Sequence, residues 1–547
     1  MQLTRNPPFG DALARPGFVR RGGALPPLSL LIPAGLVALA MALPLVYLVI
    51  RSAGASSEAW ELLFRLRTAQ ILGRSALLVA VVTGASVALA VPLAWLTART
   101  DLPFPRLWAV LTALPLVVPS YVGAFLAVSA LGPRGQLQQA LAPMGVDRLP
   151  EIYGLPGAAI TLTLLSYPYV LLTVRAGLRN MDPSLDESAR MLGHGPWSAA
   201  FRLTLPQLRP SIAAGSLLVA LYTLSDFGAV SIMRYETFTW AIYQQYQSSF
   251  DRSIAAVLSL VLVLLAAVIL ISGGFARTRG RYSRPGSGSP RPLKPVRLGR
   301  WRWPALGFCT AVTIAALGLP TAVLGYWLAK GVAAGEPLLL LWSATKNSLL
   351  VSVLAALAAT ALSVPVATLV VRYPGVLGRL VERASYIGYA LPGIVVALAL
   401  VFFGVRLARP IYQTYWLLIF AYVILFLPAA LGAVRSSLLQ VNPRVEEAAR
   451  CLGRGRWRVM LSVTAPMMRP GLLMGAALVF LVTMKELPAT LILSPLGGPL
   501  EFKTLSTAIW SASEEAFFAR AAAPALMLIL VASVPMAFLI ARDRGQP

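Results

Sequence analysis

Histidine occurs once among the 547 residues, at His194, and cysteine twice, at Cys309 and Cys451. So few ligand side chains exclude a metal-holding His/Cys cluster, and one cysteine in an apolar run with another in a polar loop makes no disulfide framework. Charge is scarce too. Asp and Glu number 21 against 47 Lys and Arg, for a net charge of +26, yet all four types together make up only 12% of the chain. A soluble protein carries about twice that share. Also missing is any Gly-x-x-x-x-Gly-Lys-Ser/Thr loop, so the chain has no phosphate cradle of that kind. The basic residues form no patch on a soluble domain; they gather in loops between apolar segments, which argues against nucleic acid as a partner and for the positive-inside pattern of a membrane protein.

What is present is apolar. With 57% hydrophobic residues and a mean hydropathy of +0.73, the chain reads as an all-α polytopic membrane protein. Its apolar runs at 28–50, 71–97, 109–131, 156–177, 211–233 and 253–275 are each near the roughly 20 residues that a crossing helix needs. A second set follows at 304–328, 346–371, 385–407, 412–434, 471–495 and 519–541, so about twelve crossings are expected. Ala38-Leu39-Ala40 imitates a signal-peptide cleavage site, but apolar sequence continues past it to full span length. Residues 1–27 carry Arg5, Arg15, Arg20 and Arg21, which places them in the cytoplasm. Residues 276–303 carry nine Arg and Lys and no acid, and read as a basic cytoplasmic linker between a first half, 28–275, and a second, 304–547. An even number of spans then leaves both termini in the cytoplasm.

The halves repeat one another. The polar loop Asp182–Pro210 returns as Asn442–Pro470, with every landmark shifted by 260 residues: Asp182-Pro183 and Asn442-Pro443, Gly193 and Gly453, Trp197 and Trp457, Pro206 and Pro466. Upstream, Ser75, Pro92 and Pro119 match Ser348, Pro365 and Pro392 at a shift of 273. Two six-helix halves in parallel repeat are therefore expected. Within each loop, Asp182 or Asn442 is placed to cap a helix that Pro183 or Pro443 begins, and Gly193 or Gly453 to end it in the left-handed conformation. A second short helix at an angle completes the expected helix-turn-helix shelf.

These loops resemble the Glu-Ala-Ala, Gly, Ile-x-Leu-Pro loop of permease subunits of binding-protein-dependent ABC importers, type I in fold. The departures are Ser188 for the first Ala, Leu203 and Val463 for Ile, and Ala465 for Leu. In that family the loop is the coupling helix that docks in a cleft of a cytoplasmic ATPase. The resemblance implies this role for Glu187, Ser188, Ala189, Arg190, Gly193 and Pro206 in the first copy. In the second it falls to Glu447, Ala448, Ala449, Arg450, Gly453 and Pro466. The implied partners are an ATPase dimer, which alone uses ATP, a periplasmic binding protein and the lipid of a bacterial inner membrane. No cofactor or metal is expected on the chain itself, and it is not expected to be an enzyme.

Just beyond each loop the next span carries an acid, in Ser225-Asp226-Phe227-Gly228 and Lys485-Glu486-Leu487-Pro488. Ionisable groups within spans are costly and mark pathways, and Gly228 and Pro488 favour a break in the helix. Asp226, Phe227, Gly228, Lys485, Glu486 and Pro488 are therefore pathway or gate residues, the plainer alternative being a helix-pinning ion pair of Glu486 with Lys485 or a neighbour. Ser225 to Met233 followed by Arg234 to Thr239 and Ile242-Tyr243, and Lys485 to Leu493 followed by Thr504-Leu505 and Ile509-Trp510, look like the ferric-iron branch of the family. The thiamine branch is also fused and carries a related Asp-Phe-Gly run, and a secondary transporter with two six-helix halves is the rival outside the family.

Overall fold

The computed structural model describes residues 26–133, 135–146, 148–179, 181, 191, 198, 200–248, 253–278, 295–336, 339–495 and 502–543. Among these residues the regular structure is helical, apart from one isolated bridge between Thr100 and Val296. The first half runs through α1 (Leu28–Ala53), α2 (Leu66–Arg99), α3 (Pro105–Leu111), α4 (Ser120–Leu131), α5 (Leu155–Arg179), α6 (Leu205–Ser225), α7 (Gly228–Ile232), α8 (Phe238–Ser248) and α9 (Ser253–Thr278). The second begins with α10 (Arg302–Thr313) and α11 (Leu319–Ala333), continuous through a π-turn, then α12 (Leu339–Arg372), α13 (Val376–Ser385), α14 (Gly393–Arg406) and α15 (Tyr415–Gln440). It closes with α16 (Pro443–Cys451), α17 (Ala465–Met484), α18 (Pro488–Leu493), α19 (Leu505–Glu514) and α20 (Phe518–Asp543). Ten helices among the described residues are long and apolar enough to cross a membrane, or twelve if two bent pairs each count as one.

The bent pairs are the expected spans at 109–131 and 385–407. The chain turns by 94° before α4 and by 108° before α14. Both turns fall on a proline. Pro119 and Pro392 stand immediately before the helices, and the residues preceding them, Val118 and Leu391, have ψ of 122° and 114°. A proline ring excludes its predecessor from the helical region, so the helix cannot run through. The expected spans 211–233 and 471–495 are also cut short, because α6 ends at Ser225 and α17 at Met484.

Side chains place the helices in lipid. Leu28, Ile32, Leu36 and Leu39 on α1, and Leu350, Val353 and Leu357 on α12, recur at three- or four-residue spacing and are exposed. An apolar stripe of that period on the outside of the bundle is a lipid-facing surface. Inside, association rests on close packing, since lipid is as apolar as leucine. The first helix of each half lies on the other half: α1 packs against α12, α13 and α14, while Ala305, Cys309 and Val312 of α10 join the core built by α2 and α5.

The repeat register holds in three dimensions. Arg175 on α5 donates to the carbonyl of Ala109 on α3 at 3.1 Å, and Arg435 on α15 pairs with Glu382 on α13 at 2.6 Å. Arg175 and Arg435 are shifted by 260, and Ala109 and Glu382 by 273, so the same strut is built twice with different acceptors. Likewise the Ser75 hydroxyl accepts from the N–H of Phe238, and the Ser348 hydroxyl from the N–H of Leu505.

Candidate functional site: two polar loops and two broken helices

The second polar loop forms as its residues require. The Asn442 side chain accepts the N–H of Arg444 at 3.0 Å, Pro443 opens α16, and Gly453 takes φ +81° just past its end. Glycine has no Cβ to obstruct that conformation. Glu447 and Ala448 on α16 are exposed, Ala449 and Arg450 partly so, and Leu452 and Trp457 project at 84% and 65% exposure. Such a ridge of apolar and acidic side chains fits a cleft in another protein. The expected second short helix is not separate, because Arg456–Met484 is one continuous helix. Pro466 lies near the start of α17, and Pro206 near that of α6. Each follows a π-turn, Met460–Thr464 and Ala200–Thr204, where the widened ladder relieves the ring's clash with the preceding turn. Glu187, Ser188, Ala189, Arg190 and Gly193 of the first loop lie outside the described residues, as do residues 1–25 and 279–294 of the expected terminal segment and linker.

One acid on the second loop escaped the sequence reading. Glu446, beside the motif's Glu447, is only 7% exposed. Its Oε1 accepts from Arg372 at 2.9 Å and from the Thr464 hydroxyl at 3.1 Å. The one legible signal was its place in the first turn of a helix opened by Pro443, where an acid is favoured.

The two intramembrane acids serve the helix breaks. Asp226 follows α6, and its Oδ1 accepts the N–H groups of Ala229 and Val230 at 2.9 and 3.3 Å, capping α7. Glu486 repeats the arrangement on α18, with Oε1 accepting from Ala489 at 3.0 Å and Oε2 from the N–H and hydroxyl of Thr490 at 3.1 and 3.0 Å. Both carboxylates are buried. Donors at the start of each short helix replace the water that a buried carboxylate loses.

The breaks meet other elements closely. A Cβ on Gly228 would stand 2.6 Å from the Tyr121 Cβ, so only glycine lets α7 lie on α4. Phe227 is buried against Tyr243 of its own half and Trp510 of the other, with ring centroids 4.8 and 5.1 Å away. The Tyr422 hydroxyl bonds to Thr490 at 2.7 Å and thereby joins the Glu486 network. Lys485 does not form the alternative ion pair with Glu486. Its Nζ donates at 2.7 Å to the carbonyl of Leu116, in the 3₁₀ turn before Pro119. An ammonium group at a helix end, with a free carbonyl of a broken helix in reach, satisfies both groups at once, and it ties the two halves together at the level of their breaks.

Two sets of membrane helices, each with a polar loop leading into a broken span, define a two-in-one membrane permease. The profile of the family described as "Binding-protein-dependent transport system inner membrane component" matches residues 90–279 and again 352–542, and the chain belongs to that family. It is the non-catalytic permease subunit of an ABC importer, a class that works with a binding protein and with an ATPase partner that uses ATP. The chain is similar to the Fe(3+)-transport system permease protein FbpB 2 of Haemophilus influenzae, at 35% identity over 520 residues, 94% of this chain and 98% of the relative. The molybdenum transport system permease protein ModB of Escherichia coli is 33% identical over 205 residues, 35% of this chain and 86% of the relative. ModB of Mycobacterium tuberculosis is 31% identical over 256 residues, 45% of this chain and 91% of the relative.

Proposed function

We propose that this permease moves ferric iron into the cytoplasm. A periplasmic binding protein delivers the cargo, and a pair of cytoplasmic ATPase subunits docks on the loops Asp182–Pro210 and Asn442–Pro470. The observation that carries the cargo is the 35% identity running through 94% of the chain, both halves included, to a permease named for Fe(3+) transport. The halves are taken as 28–275 and 304–547, joined by the basic linker 276–303 on the cytoplasmic side, with both termini on that side. Glu187, Ser188, Ala189, Arg190, Gly193 and Pro206, and Glu447, Ala448, Ala449, Arg450, Gly453 and Pro466, are the ATPase-coupling residues. Asp226, Phe227, Gly228, Lys485, Glu486 and Pro488 form the gate where the broken helices meet. No group of three His, Cys, Asp or Glu side chains that could hold a metal occurs among the described residues. Tight chelation accordingly belongs to the binding protein, and the permease supplies a weak, transient path of single carboxylates, hydroxyls and phenols. ATP draws the two loops together, the halves rock open to the loaded binding protein, and hydrolysis returns them.

Cells lacking the gene are expected to lose uptake of labelled ferric iron and to keep uptake of thiamine and molybdate, with uptake in the complemented strain abolished by ATP depletion. Loss of thiamine or molybdate uptake instead moves the cargo, and iron uptake that survives ATP depletion while the proton gradient is held removes the importer mechanism. Gly453→Pro tests the loop. Proline cannot take φ +81° and lacks the N–H that Gly453 donates to the Arg450 carbonyl at 2.9 Å, so the turn should lose about 3 kcal/mol. Uptake should fall to background while the protein keeps its normal level in the membrane; normal uptake at that level would count against docking through this loop.

A further inference from the structure

We infer that Arg372, Glu446 and Thr464 form a buried clamp that fixes the second coupling helix to three membrane helices, so that movement of α16 is delivered to the bundle. This rests on reading α16 as the ATPase-docking helix. Arg372 is the last residue of α12, Glu446 lies in the first turn of α16, and Thr464 closes the π-turn that leads into α17. The Arg372 guanidinium donates to Glu446 Oε1 at 2.9 Å and to the Val441 carbonyl, just past the end of α15, at 3.1 Å. The Thr464 hydroxyl donates to the same Oε1 at 3.1 Å. Arg450, one turn along α16, stands 4.0 Å from Oε2. The Glu446 carboxylate and the Arg372 guanidinium together thus gather α12, α15, α16 and α17.

The chemistry of this junction differs from that of a surface ion pair. Side chains of Arg372 and Glu446 are 15% and 9% exposed, so little water competes, and the planar guanidinium fixes direction as well as distance. The rest of α16 has its acidic and apolar residues outward. Without the clamp, this buried tie between α16 and the membrane helices is lost, and a push on its outer face would be passed on less directly. With the clamp, the push must move the ends of α12 and α17 together, and α17 leads directly to the break at Lys485 and Glu486. Arg99 and Thr204, both buried, hold the positions of Arg372 and Thr464 in the first half; Asp186, which corresponds to Glu446, lies outside the described residues.

The test uses the full permease reconstituted with its ATPase and binding protein, with transport and ATP hydrolysis measured together. Arg372→Ala and Glu446→Gln should retain the ATPase on copurification and keep hydrolysing ATP, while cargo moved per ATP falls about tenfold. In a Cys451→Ser background, Arg372→Cys with Glu446→Cys should show the same loss, and a short bifunctional thiol reagent joining the two should restore transport per ATP. A merely stabilising role would change membrane level or thermal stability and leave that ratio alone. An unchanged ratio in Arg372→Ala and Glu446→Gln, or no recovery on cross-linking, overturns the clamp. Loss of the ATPase from Glu447→Arg is the separate check on docking: if the ATPase stays bound there and transport is normal, the reading of α16 itself fails.

Discussion

Asp226→Asn is expected to leave the permease at its normal level in the membrane and to cut iron uptake at least tenfold, whereas Asp226→Ala loses both. The difference lies in which oxygen does what. Only Oδ1 of Asp226 caps α7, taking both the Ala229 and Val230 N–H groups. Asparagine keeps a carbonyl oxygen there, and so keeps the cap while removing the charge. Alanine strips the acceptor from two buried donors, at about 1–3 kcal/mol each, in a region where lipid and packed helices offer no replacement. For a passing cation the charge is the larger matter: a carboxylate about 6 Å away is worth on the order of 3 kcal/mol per unit charge at an effective dielectric constant near 20. A tenfold loss, which is about 1.4 kcal/mol, is thus the low end of what removal of that charge should do. Uptake of labelled iron against membrane-fraction immunoblots measures both quantities. Wild-type uptake by Asp226→Asn would make Asp226 a cap and take it out of the cargo path. Glu486→Gln is a less clean substitution, because both Glu486 oxygens accept from donors and the amide nitrogen would face one of them.

Local chemistry made half of this arrangement legible in the chain. Asn442, Pro443 and Gly453 specify the start and end of α16 through nearest-neighbour rules, and the structure forms that cap and that turn. Gly228 and Pro488, each two residues after an acid, pointed to broken spans through equally local rules. What the sequence could not display were partners far along the chain. Glu446 stands beside the motif residue Glu447, and its partner Arg372 lies 74 residues earlier in the chain. An ion pair of Lys485 with Glu486 was the plainer alternative in the sequence, and the partner of Lys485 is instead the Leu116 carbonyl, 369 residues away in the other half. The bends before α4 and α14 were signalled by Pro119 and Pro392, but hydropathy runs smoothly through both. A span assignment made on apolar length alone therefore overlooks them. That the first helix of each half lies across the other is a consequence of packing alone, and no local pattern encodes it.

The second large effect concerns how each acid is matched to the residue it faces. Ser120 and Gly393 hold the same repeat position, the first residue of α4 and of α14. The Ser120 hydroxyl is beside Asp226, while a Cβ on Gly393 would stand 2.5 Å from Glu486 Oε1. The longer acid thus faces the residue without a side chain, and the shorter acid faces the residue with one. Gly393→Ser should force the Glu486 carboxylate off its donors at a cost of about 1–3 kcal/mol, and uptake should fall about tenfold. Adding Glu486→Asp withdraws the carboxylate by one methylene, so the double variant should recover most of that loss although each single change is harmful. The reciprocal pair follows from the same geometry: Asp226→Glu should impair uptake, and Ser120→Gly should relieve it. Measured as double-mutant cycles on uptake at equal membrane levels, each pair should show a favourable coupling of at least about 1 kcal/mol. Losses that simply add in both cycles would mean that the acids and the facing residues act independently, and the size match would then have no part in setting the gate.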